Sequence, residues 1–362
     1  MPPQNYLAPD FTAPPLATAP PARFAAVTAD GVLPEGFFST SNLPTYVRVG
    51  SGWVLPARPR MDAAILRRAA SLVVMEPRRL RRGDEVAIGL AEDGSEGIYV
   101  HTAGFLGGAH SANEFRFMST EVSRERPVNY EELAARLVEE KRRGGYLIWV
   151  AGPALVHSRA RGDFEWFIRQ GYVQAMLAGN AVAVHDIEAA IFGTTLGMSS
   201  IGRPTDGGHG LHMRAINQVR AAGSIDAAVH QGLITNGIMH ALVTTGVPYV
   251  LAGSIRDDGP LPGVLSDAQA AQDAMREHTV RATGAILIAS ALHAIAVGNM
   301  LPAYHTHLGG VPTPLMTICV DQTEFVVNKL KDRGTHQAYG VVTNAQDFMT
   351  VLRVYVEKET HG

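Results

Sequence analysis

The sequence runs to 362 residues, more than one domain usually holds, so two domains with separate cores are expected. A formal net charge of -3, with 18% charged and 46% hydrophobic residues, excludes a binder of nucleic acid that works through a broadly basic surface. The single cysteine, Cys319, excludes an intrachain disulfide and suits a reducing compartment.

Residues 1–25 are rich in Pro and Ala and predict an extended arm, ordered only where it packs on something. They lack a basic segment followed by an apolar core, and the most apolar run, Ala285 to Val297, is too short to span a bilayer and is interrupted by His293. A cytoplasmic protein with no membrane partner is expected. From Phe24 to Thr120, short alternating runs separated by Gly, Asp and Pro turns predict strands at Tyr46–Val49, Gly52–Leu55, Leu72–Met75, Val86–Gly89 and Gly97–Val100. Residues 26–125 thus read as a small β-rich, barrel-like domain. Within it, Arg78, Arg79, Arg81 and Arg82 read as a solvated turn before a strand, with an anion contact as the alternative.

Near Asn129 the apolar period changes from 2 to about 3.6. Asn129 is placed to cap a helix with Leu133, Leu137 and Val138 on one face, and Gly144-Gly145 to end it. Tyr146–Ala151 then reads as a buried strand and Gly152-Pro153 as its turn. Further strands are predicted at Ala181–Val184, Pro248–Ala252, Ala285–Ala289, Leu315–Val320 and Tyr339–Val342. Helices are predicted at Met213–Ala222, Ser266–His278, Glu324–Arg333 and Ala345–Glu357. This alternation predicts an α/β, doubly wound, mainly parallel sheet over residues 126–362.

Val250 to Pro262 is the leading candidate for chemistry. Its apolar strand stops at Gly253 in a loop that carries Arg256, Asp257 and Asp258. Ligands of open α/β sheets sit beyond the carboxyl ends of the strands, where this loop would face them; a solvated Asp-Asp-Gly-Pro turn is the alternative. No Gly-x-Gly-x-x-Gly follows a strand, and Gly207–Gly210 lacks a strand before it. Two other features suit a dinucleotide. Asp321 ends a strand where a ribose diol can bind, and Ser290 to His293 form a small-residue strand-to-helix turn whose amides can hold a pyrophosphate. Each also has a structural reading, as a helix cap and as close packing. Among the fourteen histidines, His185 with Asp186, His209 with His212, and His305 with His307 have ligand-like spacings. Without a His-Glu-x-x-His or paired-cysteine motif, no metal is expected.

The segments Leu33–Thr45, Phe117–Ser123, Gly179–Glu188, Ala252–Pro262, Ala271–Arg276, and Val320-Asp321 with Lys331–Thr335 together resemble the archaeal-type ornithine cyclodeaminases. That family also occurs fused to arginine dihydrolase in cyanobacteria, and the likeness runs from about residue 30 to 350. The resemblance implies a β-rich subdomain, a Rossmann-like subdomain that keeps NAD bound, an amino-acid substrate, and conversion of L-ornithine to L-proline and ammonia. It places the NAD contacts at Asn180, Ala181, Asp258, Ser290, Ala291, Leu292, His293, Asp321, Asn344 and Ala345. Asn344 departs from the acid expected there, and the Tyr304–Pro314 connection is longer than expected. The N-terminal module and the fused dihydrolase of some relatives are not expected here. From chemistry and position, Asp258 or Asp257 is the candidate base, Arg256 the carboxylate fork and His293 a second proton-transfer group. A homo-oligomer is the expected assembly. An amino-acid or opine-type dehydrogenase and a non-catalytic NAD-binding regulator are the competing readings.

Overall fold

The computed structural model describes residues 6–69, 71–105, 128–199, 201–257, 259–306, 310–323 and 338–361. They form two compact units. Among the described residues, the first unit takes the chain up to residue 105 together with the segment Asn299–Leu315. It contains a four-stranded antiparallel sheet, in the order Arg23–Ala26, Glu85–Ile88, Ala64–Arg68 and Ser71–Met75. A three-stranded antiparallel sheet follows the order Gly52–Val54, Thr45–Val49 and Ile98–Val100. Alternation aims Val47, Ile65, Leu72, Ala87 and Ile98 inward, into one core with Phe38.

The Pro/Ala arm packs within this unit. Leu16 and Ala19 are buried, Phe11 stacks on Trp53 at 5.4 Å, and Ala22 N donates to Arg48 O at 2.9 Å. Sequence reading missed the strands Arg23–Ala26 and Ala64–Arg68, whose apolar residues run consecutively and whose ends carry arginine. Arg81 pairs with Asp30 and Arg79 with Glu76, so these members of the arginine cluster serve a turn. Ala303 N donates to Asn42 O, which ties Asn299–Leu315 to the same unit.

The second unit is built on six parallel strands: β1 Leu147–Ala151, β2 Ala175–Gly179, β3 Tyr249–Ala252, β4 Gly284–Ile288, β5 Met316–Asp321 and β6 Ala338–Val342. Their order across the sheet is β3-β2-β1-β4-β5-β6, that of the Rossmann fold, with the reversal between β1 and β4. Every residue of β1 and β4 is buried, which requires cover on both faces and explains why these strands read as unbroken apolar runs. The register makes the carboxyl ends level. Ala151 stands opposite both Ala178 and Ile288, Ile288 opposite Val320, Val320 opposite Val341, and Gly179 opposite Ala252. The segments leaving all six strands therefore emerge along one edge.

One predicted element is corrected. Ala181–Val184 is not a strand but part of the helix Asn180–Phe192, and the strand precedes it at Ala175–Gly179. Short apolar runs carry no period that separates a buried strand from a buried helix, and this helix is buried from Val182 through Glu188. Its two buried acids have internal partners. Asp186 accepts from Arg161 Nε at 2.6 Å and from the amides of Ile238 and Met239, which begin the helix Ile238–Thr245. Burial pushes the Asp186 pKa up against these donors. Removing the Arg161 guanidinium would leave the buried carboxylate without its counter-ion, so this cluster ties the Asn180 helix to the start of the Ile238 helix. The predicted helix Glu324–Arg333 lies outside the described residues.

Candidate cofactor and active site

Beyond β3 the chain turns at Gly253 into the acidic loop. Asp257 is not a free turn residue: Oδ2 accepts from Ser254 N at 2.8 Å and Oδ1 from Asn180 Nδ2 at 3.3 Å. Asn180, the first residue of the helix after β2, is buried, and its Oδ1 accepts from Leu261 N at 3.1 Å. One amide side chain thus fixes both arms of the loop. Ile255 and Arg256 are exposed at the tip, and Asp258 lies outside the described residues.

Beyond β4, Ala289 takes a left-handed conformation, φ 60°, and Ser290 opens the helix Ala291–Met300. Ser290 Oγ accepts from His293 N at 3.3 Å, a capping bond, and Ala294 N donates to Ser290 O. The amides of Ala291 and Leu292 have no acceptor among the described residues, and both residues are exposed. Two open amides at a helix start suit an anion. Gly152, at the end of β1, lies so close that a Cβ there would run into Ala289 O.

The His293 ring rests on Gly179, where a Cβ would come within 2.5 Å of its Cε1. Its Nδ1 lies 3.3 Å from Ser290 Oγ. Burial lowers the imidazole pKa below its usual value, and the charge of Asp257 offsets part of that. Burial thus favours the neutral ring, the form able to accept a proton. Asp257→Asn should lower the His293 pKa further, because the charge that favours imidazolium is gone. A ring-proton titration followed by NMR reads this, and an unchanged or raised value would refute the coupling.

Beyond β5, Asp321 Oδ1 accepts from Thr323 N and Oγ1, both at 2.9 Å, while Oδ2 has no partner among the described residues. Beyond β6, Asn344 caps the helix Ala345–His361: Oδ1 accepts from Asp347 N at 2.8 Å and Nδ2 donates to Asp347 Oδ2 at 2.6 Å. Both polar groups of the Asn344 side chain are thereby committed to the cap, and Ala345 beside it is buried. The structure thus pairs Asn180 with Asp257 and Ser290 with His293, and sets the His293 ring against Gly179, the residue before Asn180. Ala181 is exposed in the first turn beside it. Asp321 ends β5 and Asn344 follows β6, its neighbour, joined by Thr343 N donating to Asp321 O, and Arg256 makes no side-chain hydrogen bond with these residues.

The rival histidine set behaves otherwise. Among the described residues no three His, Cys, Asp or Glu side chains converge as a metal site. Glu188, one turn below His185, accepts from Thr194 Oγ1 and from the amides of Leu196 and Gly197, so it organises the hairpin Thr194–Ser199. Gly208–Gly210 is a short turn opening the helix Leu211–Ala222.

Residues 131–352 match the family described as arginine dihydrolase ArgZ-like, C-terminal, Rossmann fold, and residues 44–131 match its first region. Over 339 residues the sequence is 42% identical to an ornithine cyclodeaminase of Archaeoglobus fulgidus, covering 93% of this chain and 79% of that protein. The chain belongs to the ornithine cyclodeaminase family. A solved LOR/SDH protein of Methanococcus maripaludis S2 superposes with a TM-score of 0.81 at 37% identity, covering 94% of this chain and 98% of that one. The ternary complex of AgrE with ornithine and NAD+ superposes with a TM-score of 0.59 at 34% identity, covering 95% of this chain and 47% of AgrE. In this ornithine cyclodeaminase family member, every candidate residue from Asn180 to Ala345 falls inside the matched Rossmann region.

Proposed function

We propose that this chain is an NAD-dependent ornithine cyclodeaminase that converts L-ornithine to L-proline and ammonia with no net redox change. The observation that carries the reading is the pairing of Asn180 with Asp257, with the His293 ring against Gly179, beside the open amides of Ala291 and Leu292, at the level carboxyl edge of the sheet. The residues present fit a dinucleotide. The Ala291 and Leu292 amides suit the pyrophosphate, Asp321 Oδ2, without a partner among the described residues, suits a ribose hydroxyl, and Asn180 and Ala181 suit the reacting end; the family resemblance adds Asp258, which lies outside the described residues. Asn344, tied to Asp347, contributes its backbone rather than its side chain.

When bound, NAD supplies the hydride acceptor for the substrate Cα and the hydride donor for the ring imine. The protein's part is to move protons and hold atoms. Asp257 is fixed by two donors, so it orients the loop, and Asp258 takes the proton from the α-amine, making hydride loss possible. Neutral His293 takes and returns the proton that accompanies attack of the δ-amine and departure of ammonia. Arg256, exposed at the loop tip, holds the substrate carboxylate with its planar fork.

Incubating the purified protein with ornithine, lysine and arginine tests this, with ammonia, proline and NADH measured together. Proline and ammonia in equal amounts without accumulating NADH are expected. Net NADH would overturn the cyclodeaminase reading in favour of a dehydrogenase. Asp321→Ala should weaken NAD binding by about 1 to 3 kcal/mol in calorimetry. Asp321→Asn, which keeps an acceptor for Thr323, should cost less; equal affinity in all three proteins would remove Asp321 from the cofactor site.

A further inference from the structure

The helix Leu211–Ala222 lies between the Asn180 helix and β3 in the chain, and its last turn carries Arg220. Arg220 Nη2 donates to Pro260 O at 2.9 Å, in the part of the loop that follows the acid pair in sequence. A Cβ at Gly259 would lie 3.0 Å from Arg220 Nη2 and 3.5 Å from Nη1. Gly259 also has φ +136°, which L side chains rarely adopt. The backbone conformation at position 259 thus disfavours a side chain, and the Arg220 guanidinium lies close against the glycine.

Arg220 is exposed and has no ion pair among the described residues, so the cation is held on a neutral carbonyl. The rest of the loop has other anchors. Ser254 and Asn180 hold Asp257, and Asn180 also holds Leu261 N. Gly259 and Pro260 have no other hydrogen bond among the described residues, and Pro260 has no amide to offer. Arg220 alone, among the described residues, fixes the middle of the segment that follows the acid pair.

We propose that Arg220 is a positioning residue: it clamps the Gly259-Pro260 segment and so fixes the path of the acidic loop between the Asp257 anchor and Leu261. This inference rests on the cyclodeaminase function proposed above. A guanidinium suits the task because it stays charged at all working pH values and loses little freedom on forming a directed bond. A clamp of this kind acts on kcat, since misplacing a reacting group by about 1 Å costs up to about 100-fold in rate while leaving much of the substrate's binding intact.

The test compares the full-length NAD-loaded protein with Arg220→Gln and Arg220→Lys. Amide hydrogen exchange over residues 253–261 should rise about 5- to 10-fold in Arg220→Gln, one hydrogen bond's worth, with the sheet strands unchanged. Its kcat for ornithine should fall about tenfold or more, with KM moving less than about threefold. Lysine, which can still reach the Pro260 carbonyl, should recover part of both effects. Unchanged loop exchange in Arg220→Gln would overturn the clamp. So would a raised KM with unchanged kcat, which would make Arg220 a substrate contact instead. Failure of the wild-type protein to release ammonia from ornithine would sink the proposed function, and the exchange measurement would still decide the clamp.

Discussion

Asp258→Asn is expected to lower turnover of ornithine by about 100-fold or more while the protein keeps its fold and its NAD. Asparagine retains the size of the side chain and one acceptor oxygen but cannot take a proton from the substrate amine. The informative comparison is Asp257→Asn. Asp257 accepts from Ser254 N through one oxygen and from Asn180 Nδ2 through the other. An amide at position 257 must turn its NH2 toward one of those donors and lose that bond. A smaller loss, about tenfold, is expected, accompanied by a lower His293 pKa. The order of effects separates the roles: a greater loss at Asp257 would make it the base, and full activity in both variants would put the chemistry elsewhere. Cofactor content, measured after denaturation, must accompany each rate, because loss of NAD from Asp258→Asn would assign that residue to binding.

The sheet was legible where strands are bounded by glycine and flanked by amphipathic helices, as at Leu147–Ala151 and Gly284–Ile288. Their bounds were predicted to within about a residue because burial on both faces leaves an unbroken apolar run. The same rule misled at Ala181–Val184. A helix that carries the buried Asp186 and Glu188 looks like a strand until the partners of those acids, distant in sequence, are known. The acidic loop was legible as a loop, since Gly253 and Asp-Asp-Gly-Pro are turn chemistry. That Asp257 is held by Asn180 across 77 positions was not, because no local pattern encodes such a bond. Arg220 and Gly152 gave no signal of their own: an arginine ending a helix reads as a response to the helix dipole, and Gly-Pro reads as a turn.

Gly152→Ala is expected to abolish NAD binding within the tested range, a loss of about 100-fold or more, and to destabilise the fold as well. Gly152 N donates to Ile288 O at 3.0 Å, which holds the ends of β1 and β4 together at the point where strand order reverses. A methyl at 152 would strike Ala289 O and come within 2.8 Å of Ser290 Cβ. The obstruction is mainly backbone, so no rotamer relieves it. The turn from Ala289 to His293 must move, and with it the open amides of Ala291 and Leu292. Overpacking of this kind costs about 1 to 3 kcal/mol or more, readable as a lower denaturant midpoint. Ala289→Gly is the counterpart. It relieves the left-handed conformation without adding an atom and should leave NAD affinity within about twofold of wild type. Should Gly152→Ala bind NAD normally despite a lowered midpoint, the turn after β4 does not hold the pyrophosphate, and the assignment of Ser290 to His293 fails with it.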